Sequence, residues 1–276
     1  MATRADSIRT GSLRATAQDV TECFAAHSLL TYASAIAFRA LVAVVPLTLL
    51  GLALLGTLGL EDVWTDTIAP ALESHLTQPV SRAIDFTAQQ IFTSDKAPLI
   101  ALSVALVVWD MTWAMNVVMQ ALNRIHEVEE RRSKLRRVGV AAGLGVAVVG
   151  CLVAAVLVQS VASSLTDGAL DTALSILRWP VAIFFLWAAL TLLFRYAPAE
   201  KPEFRWASGG SLLVIATWLA ASALFRGWVT EVANFKSATG SLTVFLVLTS
   251  YILVSATIFL IGAEVDELAR KRNRRS

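Results

Sequence analysis

The stretch WDMTWAMN, residues 109–116, lies in the middle of an apolar run from Pro98 to about Leu122. About 20 apolar residues are enough for a helix to cross the ~30 Å hydrocarbon core of a bilayer, and this run is longer. One ionisable carboxylate, Asp110, sits near its centre. The stretch therefore predicts a membrane-spanning helix that carries a titratable group near mid-membrane.

Polar side chains continue along one stripe of the same helix, at spacings of four, four and three residues: Thr112, Asn116, Gln120 and Asn123. Such a stripe forms either the wall of a hydrophilic groove or a set of hydrogen bonds that hold helices together, worth roughly 0.6–2 kcal/mol each. We favour the groove for Asn116 and Gln120. For Asn123, which lies next to the membrane interface, we favour helix–helix contact.

Composition extends this interpretation to the whole chain. Of 276 residues, 56% are hydrophobic and only 16% are charged, and the mean hydropathy is +0.65. Soluble domains carry about 25% charged residues, so this is a polytopic helical membrane protein. Cys23 and Cys151 are expected to be free thiols. The three histidines are scattered, so the sequence predicts no metal cluster and no cofactor.

The chain divides into an amphipathic N-terminal segment (1–31), a transmembrane domain (32–264) and a basic tail (265–276). An all-α fold with six spans is predicted, and the polar connection at 61–96 is expected to form short amphipathic helices outside the bilayer. Gly139 and Gly143 have the spacing that lets helices approach closely. The predicted spans are about 32–60, 98–122, 138–163, 176–196, 207–229 and 240–264.

The distribution of cations predicts the orientation. Six of the 23 Lys and Arg residues lie in the connection at 124–137, five in the tail, three in the N-terminal segment and three at 195–205. All of these segments fall on one side when six helices cross. By the positive-inside rule, both termini are cytoplasmic. Attraction of the basic loops to anionic lipid headgroups is also expected.

Two further residues in the first span stand out. Arg39 is a cation inside an apolar segment, where it must snorkel to the interface or find a partner, and Asp110 and Glu264 are the candidates. Pro46 removes a backbone hydrogen bond near the middle of the span, so it forms a static kink or a hinge. The sequence hypothesis is a polar groove between spans one, two and six, lined by Arg39, Asp110, Asn116, Gln120 and Glu264.

Several short stretches resemble the YihY/BrkB family of bacterial inner-membrane proteins. They occur in the family's order: 34–41 leading to Pro46-Leu47, Gln120 to Asn123, Phe194 to Pro198 with Trp206, Gly210 and Trp218 following, Thr239 to Leu242, and Leu260 to Glu264. Thr239 stands in place of the usual tyrosine, Arg39 in place of an aromatic residue and Ala43 in place of a common serine. The resemblance implies a six-helix protein of the bacterial inner membrane.

The resemblance also implies links to envelope integrity and to lipid or solute transport, and an older label as a ribonuclease. Our function hypothesis is translocation of a lipid or small anionic solute. The alternative is a non-transporting scaffold that binds envelope partner proteins. A ribonuclease is disfavoured, because the basic cluster at 131–137 has no interleaved aromatic residues and no neighbouring ligands for catalytic metal ions. We therefore expect no nucleic-acid partner and no enzymatic activity, and the sequence leaves the oligomeric state open.

Overall fold

The computed structural model describes residues 22–70, 73, 78–164, 171–200, 209–231 and 240–275. Throughout these residues the regular structure is helical. Two short helical segments lie between the first two long helices, where the sequence predicts them. The elements are α1 (Leu29–Thr57), α2 (Glu61–Val63) with a π-helical turn (Trp64–Ile68), α3 (Gln78–Thr93), α4 (Lys96–Ile125), α5 (Lys134–Ser164), α6 (Asp171–Tyr196), α7 (Gly209–Glu231) and α8 (Gly240–Arg275).

Six of these helices, α1 and α4 to α8, are long and apolar enough to cross a membrane. Their most apolar windows have mean hydropathies between 1.5 and 2.4. Large apolar side chains such as Phe38, Val45 and Leu224 are exposed on them, as expected for surfaces that meet lipid rather than water. The predicted all-α class with six spanning helices is confirmed.

The C-terminal segment of the chain extends the last long helix, and the N-terminal segment precedes the first. The helix α8 continues from its apolar part through the predicted basic tail to Arg275. Most of the predicted amphipathic segment, residues 1–21, lies outside the described residues; positions 22–26 are helical and end at His27 and Ser28. Ser28 has φ 54°, in the left-handed region, so the chain changes direction there before α1 begins.

Contacts group the chain into two compact units, and the first contains residues 36–114 and 221–254. One cluster of buried apolar residues joins the end of α1 to the short helices that follow: Leu52, Ala53, Trp64, Ala88, Ile91 and Phe92. The Trp64 indole is 4% exposed, and its Nε1–H donates to Oδ1 of Asp85 at 2.9 Å. The ring of Phe92 meets it edge-on, with centroids 6.5 Å apart.

Replacing Trp64 with phenylalanine tests this packing. The variant keeps an aromatic ring but removes the donor to Asp85, and an unsatisfied carboxylate in a partly buried site costs about 1–3 kcal/mol. We expect a loss of that size in the free energy of unfolding, measured by denaturation in mixed detergent micelles. The additional substitution Asp85→Leu should recover part of the loss. A single variant as stable as the wild type would contradict the assigned hydrogen bond.

The second unit contains residues 1–35, 115–220 and 255–276, of which the structure describes the ranges given above. Within it α5 packs along α6, and the rings of Phe194 and Phe259 stack with centroids 5.5 Å apart. The helices α7 and α8 approach closely, since a β-carbon built on Gly210 would collide with the carbonyl oxygen of Gly262.

Gly139 and Gly143 differ from Gly210 in their surroundings. Added β-carbons at these two positions meet no described atom within 4 Å, so the described residues show no close helix approach there. Small-residue spacing indicates where two helices can approach, not where they do. Pro46 lies inside α1, which remains continuous from Leu29 to Thr57, and a hinge at Pro46 stays a prediction.

Candidate functional site

One charged contact joins the first two spanning helices, α1 and α4. Nη1 of Arg39 lies 3.7 Å from Oδ1 of Asp110, and their side chains are 33% and 11% exposed. The guanidinium also lies over the ring of Trp113, 5.5 Å from its centroid. Trp113 follows Asp110 by three residues, so one turn of α4 presents both a carboxylate and an aromatic face to the same arginine.

This arrangement explains how an arginine is accommodated within a spanning helix. A cation surrounded by hydrocarbon is strongly unfavourable unless another group neutralises it. Here the carboxylate supplies the opposite charge and the indole supplies a favourable quadrupole. The sequence offered Asp110 and Glu264 as partners for Arg39. In the structure Asp110 is the one that lies beside Arg39.

The polar residues along this stripe of α4 make separate contacts with different parts of the chain. Thr112 donates its hydroxyl to the carbonyl of Val108 at 2.7 Å, one turn back on its own helix. Asn123 is buried; its amide donates to Glu130 at 3.0 Å and accepts from the backbone N–H of Ala199 at 2.7 Å. Asn123 therefore connects the end of α4 to two connecting segments, in line with the structural role expected for it.

Asn116 and Gln120 lie on the part of α4 that belongs to the second unit. Oδ1 of Asn116 accepts a hydrogen bond from Nε of Arg137 at 2.7 Å. The exposed amide of Gln120 donates to the backbone oxygen of Asn116 at 3.1 Å. In the sequence Arg137 belongs to the basic cluster used to predict the topology, and nothing in the local sequence distinguishes it from its neighbours.

Glu264, the fifth predicted site residue, is 1% exposed on α8. Its Oε2 lies 3.2 Å from Nδ1 of His27, at the turn that precedes α1. One turn further along α8, the equally buried Glu267 lies 3.6 Å from Nε2 of His126 and 2.7 Å from Nη2 of Arg270. Within the described residues these histidines contact buried glutamates, a role that scattered sequence positions could not reveal.

A third contact holds the same part of α8 to the connection after α4. Nζ of Lys271 lies 2.9 Å from Oε1 of Glu127. The hydrogen bond and charge of Lys271 lower the pKa of the Glu127 carboxyl below its usual range. Because Glu127 is 64% exposed, solvent screens the pair and its contribution to stability is small.

The five predicted site residues therefore fall into three local contacts. Arg39 pairs with Asp110 in the first unit. In the second unit Asn116 binds Arg137 and accepts from Gln120 through its backbone, and Glu264 contacts His27. Two of these contacts contain groups that can exchange partners with an anion: the charge pair within the apolar segments, and the partly buried arginine held by an amide.

Comparison with known proteins agrees with the resemblance described from the sequence. The family model for virulence factor BrkB matches residues 20–276. The ribonuclease-like protein YfkH of Bacillus subtilis (strain 168) is 23% identical over 219 residues, which cover 76% of this chain and 80% of that protein. No solved structure matches. The chain therefore belongs to the virulence factor BrkB family, and it is a multi-pass membrane protein.

Proposed function

We propose that this protein translocates a lipid or a small anionic solute across the bacterial inner membrane, with both termini in the cytoplasm. The observation that carries the proposal is the ion pair of Arg39 and Asp110 within spanning helices. Charged residues in such segments are costly, and they commonly mark pathways for substrates, ions or protons. The excess of cations on one side of the predicted topology supports the orientation.

In this proposal the pair is a binding element that exchanges partners. An anionic headgroup or solute attracts Arg39 and competes with Asp110 for its guanidinium. The released carboxylate then binds a proton or re-forms the pair when the anion leaves, which links anion movement to the charge state of Asp110. The basic connecting segments attract anionic lipids to the cytoplasmic surface, and the protein itself carries out no covalent chemistry.

Flux through proteoliposomes tests the proposal. The probes are a fluorescent phosphatidylglycerol, whose movement between leaflets is followed by chemical quenching, and inorganic phosphate. Asp110→Asn and Arg39→Lys should each lower the flux by about tenfold or more, equivalent to ~1.4 kcal/mol. Thr112→Val is the matched control, because Thr112 lies on the same helix and its hydroxyl donates to the backbone of that helix rather than to Arg39 or Asp110. It should retain flux within about twofold of wild type.

Three results would contradict the proposal. Folded Asp110→Asn and Arg39→Lys proteins with wild-type flux would refute the site. A wild-type protein that moves neither probe would favour the scaffold, in which the polar groups only hold helices together. Metal-dependent cleavage of RNA by the purified protein would refute the non-enzymatic function.

A further inference from the structure

The basic cluster at 131–137 contains residues with different surroundings. Arg132 is occupied: its guanidinium donates to the carbonyl oxygens of Tyr196, Ala197 and Pro198. Arg131, Lys134 and Arg136 are exposed to solvent or headgroups. Arg137 is different from both groups, because it is half-buried against α4 and its Nε donates to the neutral amide of Asn116 at 2.7 Å.

Arg137 forms no ion pair with a carboxylate in the part of the chain that the structure describes. No described carboxylate lies within 4.0 Å of its guanidinium nitrogens. Arginine stays protonated at every pH that a protein tolerates, so the charge cannot be relieved by losing a proton. A partly buried cation that is held by a neutral amide is therefore a favourable binding site for an anion from outside the protein.

The geometry of the side chain indicates which anion fits. Guanidinium has five N–H donors, and the bond to Asn116 uses the one on Nε. The remaining donors on the two terminal nitrogens form a planar fork that suits bidentate contact with phosphate or carboxylate oxygens. Gln120 is exposed one turn along α4 from Asn116, and one N–H of its amide donates to the backbone oxygen of Asn116. The amide nitrogen has a second N–H, which is a further neutral donor on this face of α4.

We propose that Arg137, positioned by Asn116 and assisted by Gln120, binds the phosphate of an anionic ligand, as a lipid headgroup or as free phosphate. The inference rests on the proposed function, for which it names the ligand chemistry and an entry site on α4 and α5. Asn116 is a positioning residue, because its side-chain oxygen accepts from Nε and so holds the plane of the guanidinium group.

The test measures ligand binding to the full-length protein in detergent by calorimetry, with dioctanoyl phosphatidic acid and inorganic phosphate as separate probes. Arg137→Gln should weaken binding of the phosphatidic acid by about tenfold or more, as expected for loss of a charged bidentate contact. Arg136→Gln is the matched control, because it removes the same charge from the exposed neighbour. It should change the dissociation constant by less than about twofold, since exposed charges are screened.

Asn116→Asp separates a binding role from a structural one. The new carboxylate pairs with Arg137 internally and competes with the ligand, so binding should fall as far as in Arg137→Gln while thermal stability holds or rises. Binding of both probes would identify phosphate itself as the ligand, and binding of phosphatidic acid alone would identify the lipid headgroup. Either result supports the site.

Equal losses in Arg136→Gln and Arg137→Gln, undiminished binding in Asn116→Asp, or no saturable binding of either probe to the wild type would overturn the inference. Its failure is distinguishable from failure of the proposed function. Flux that depends on Arg39 and Asp110 without binding at Arg137 would leave translocation standing. Binding at Arg137 without any flux would leave a lipid-binding scaffold.

Discussion

Replacing Asp110 with alanine is expected to lower the free energy of unfolding by about 3 kcal/mol, the low end of the range for breaking a buried ion pair. The change leaves Arg39 within an apolar helix without its counter-charge, at a position where its side chain is only 33% exposed. The remaining contact with Trp113 is too weak to replace the pair, because cation–π contacts contribute about 0.5–2 kcal/mol.

A double-mutant cycle isolates the pair from other losses. When Arg39 is already alanine, removing Asp110 should cost less, and the coupling energy should be about 1–3 kcal/mol. Reversible unfolding in mixed micelles of mild detergent and SDS provides the four free energies. A cycle with Thr112→Val in place of Asp110→Ala should be additive within about 0.5 kcal/mol. Additivity in the Asp110 cycle would show that the two side chains do not interact.

The second large effect is expected at Gly210, where α7 crosses α8. An alanine there places its β-carbon against the carbonyl oxygen of Gly262 and 2.7 Å from Cβ of Asp266. The first of these atoms is part of the backbone of α8 and the second is bonded to it. A rotamer change therefore cannot relieve the overlap, and a helix must shift. We expect a loss of about 2–3 kcal/mol in the free energy of unfolding.

Gly227 provides a control on the same helix. A β-carbon at that position meets no described atom within 4 Å, and alanine is favoured over glycine in a helix interior by up to about 1 kcal/mol. Gly227→Ala should therefore leave stability unchanged or raise it, opposite in sign to Gly210→Ala. Thermal denaturation in detergent compares the two proteins directly. Equal responses would mean that the helices do not approach closely at Gly210.

The fold was largely predictable because hydropathy and length directly encode membrane crossing. Runs such as 98–122 contain enough apolar residues to span a bilayer, and in lipid a helix satisfies all of its backbone groups internally. The short helices near Trp64 and Asp85 followed from periodicity and proline positions. The crossing at Gly210 was not predicted, because sequence spacing identifies small residues but not the helix that will face them.

The candidate site was predicted only where charge alone limits the choice. Arg39 and Asp110 both lie in apolar segments, so Asp110 was one of two partners that the sequence offered for Arg39, and Glu264 was the other. The partner of Glu264 was not predictable, since His27 lies 237 positions away and carries no local signal. Arg137 was grouped with its neighbours because the residues of one basic run cannot be distinguished by sequence alone. Only the contact with Asn116 in the folded structure sets Arg137 apart.

Arg132 combines two properties that a lysine would share only in part. In the proposed orientation its positive charge belongs to the excess of cations on the cytoplasmic side, and a lysine would carry the same charge. Its guanidinium also joins the segment before α5 to the backbone oxygens of residues 196–198 at the end of α6, which a lysine ammonium cannot match because it lacks the planar arrangement of donors. At this residue the proposed orientation requires only the charge, whereas the contact between the two connecting segments requires the shape of the side chain.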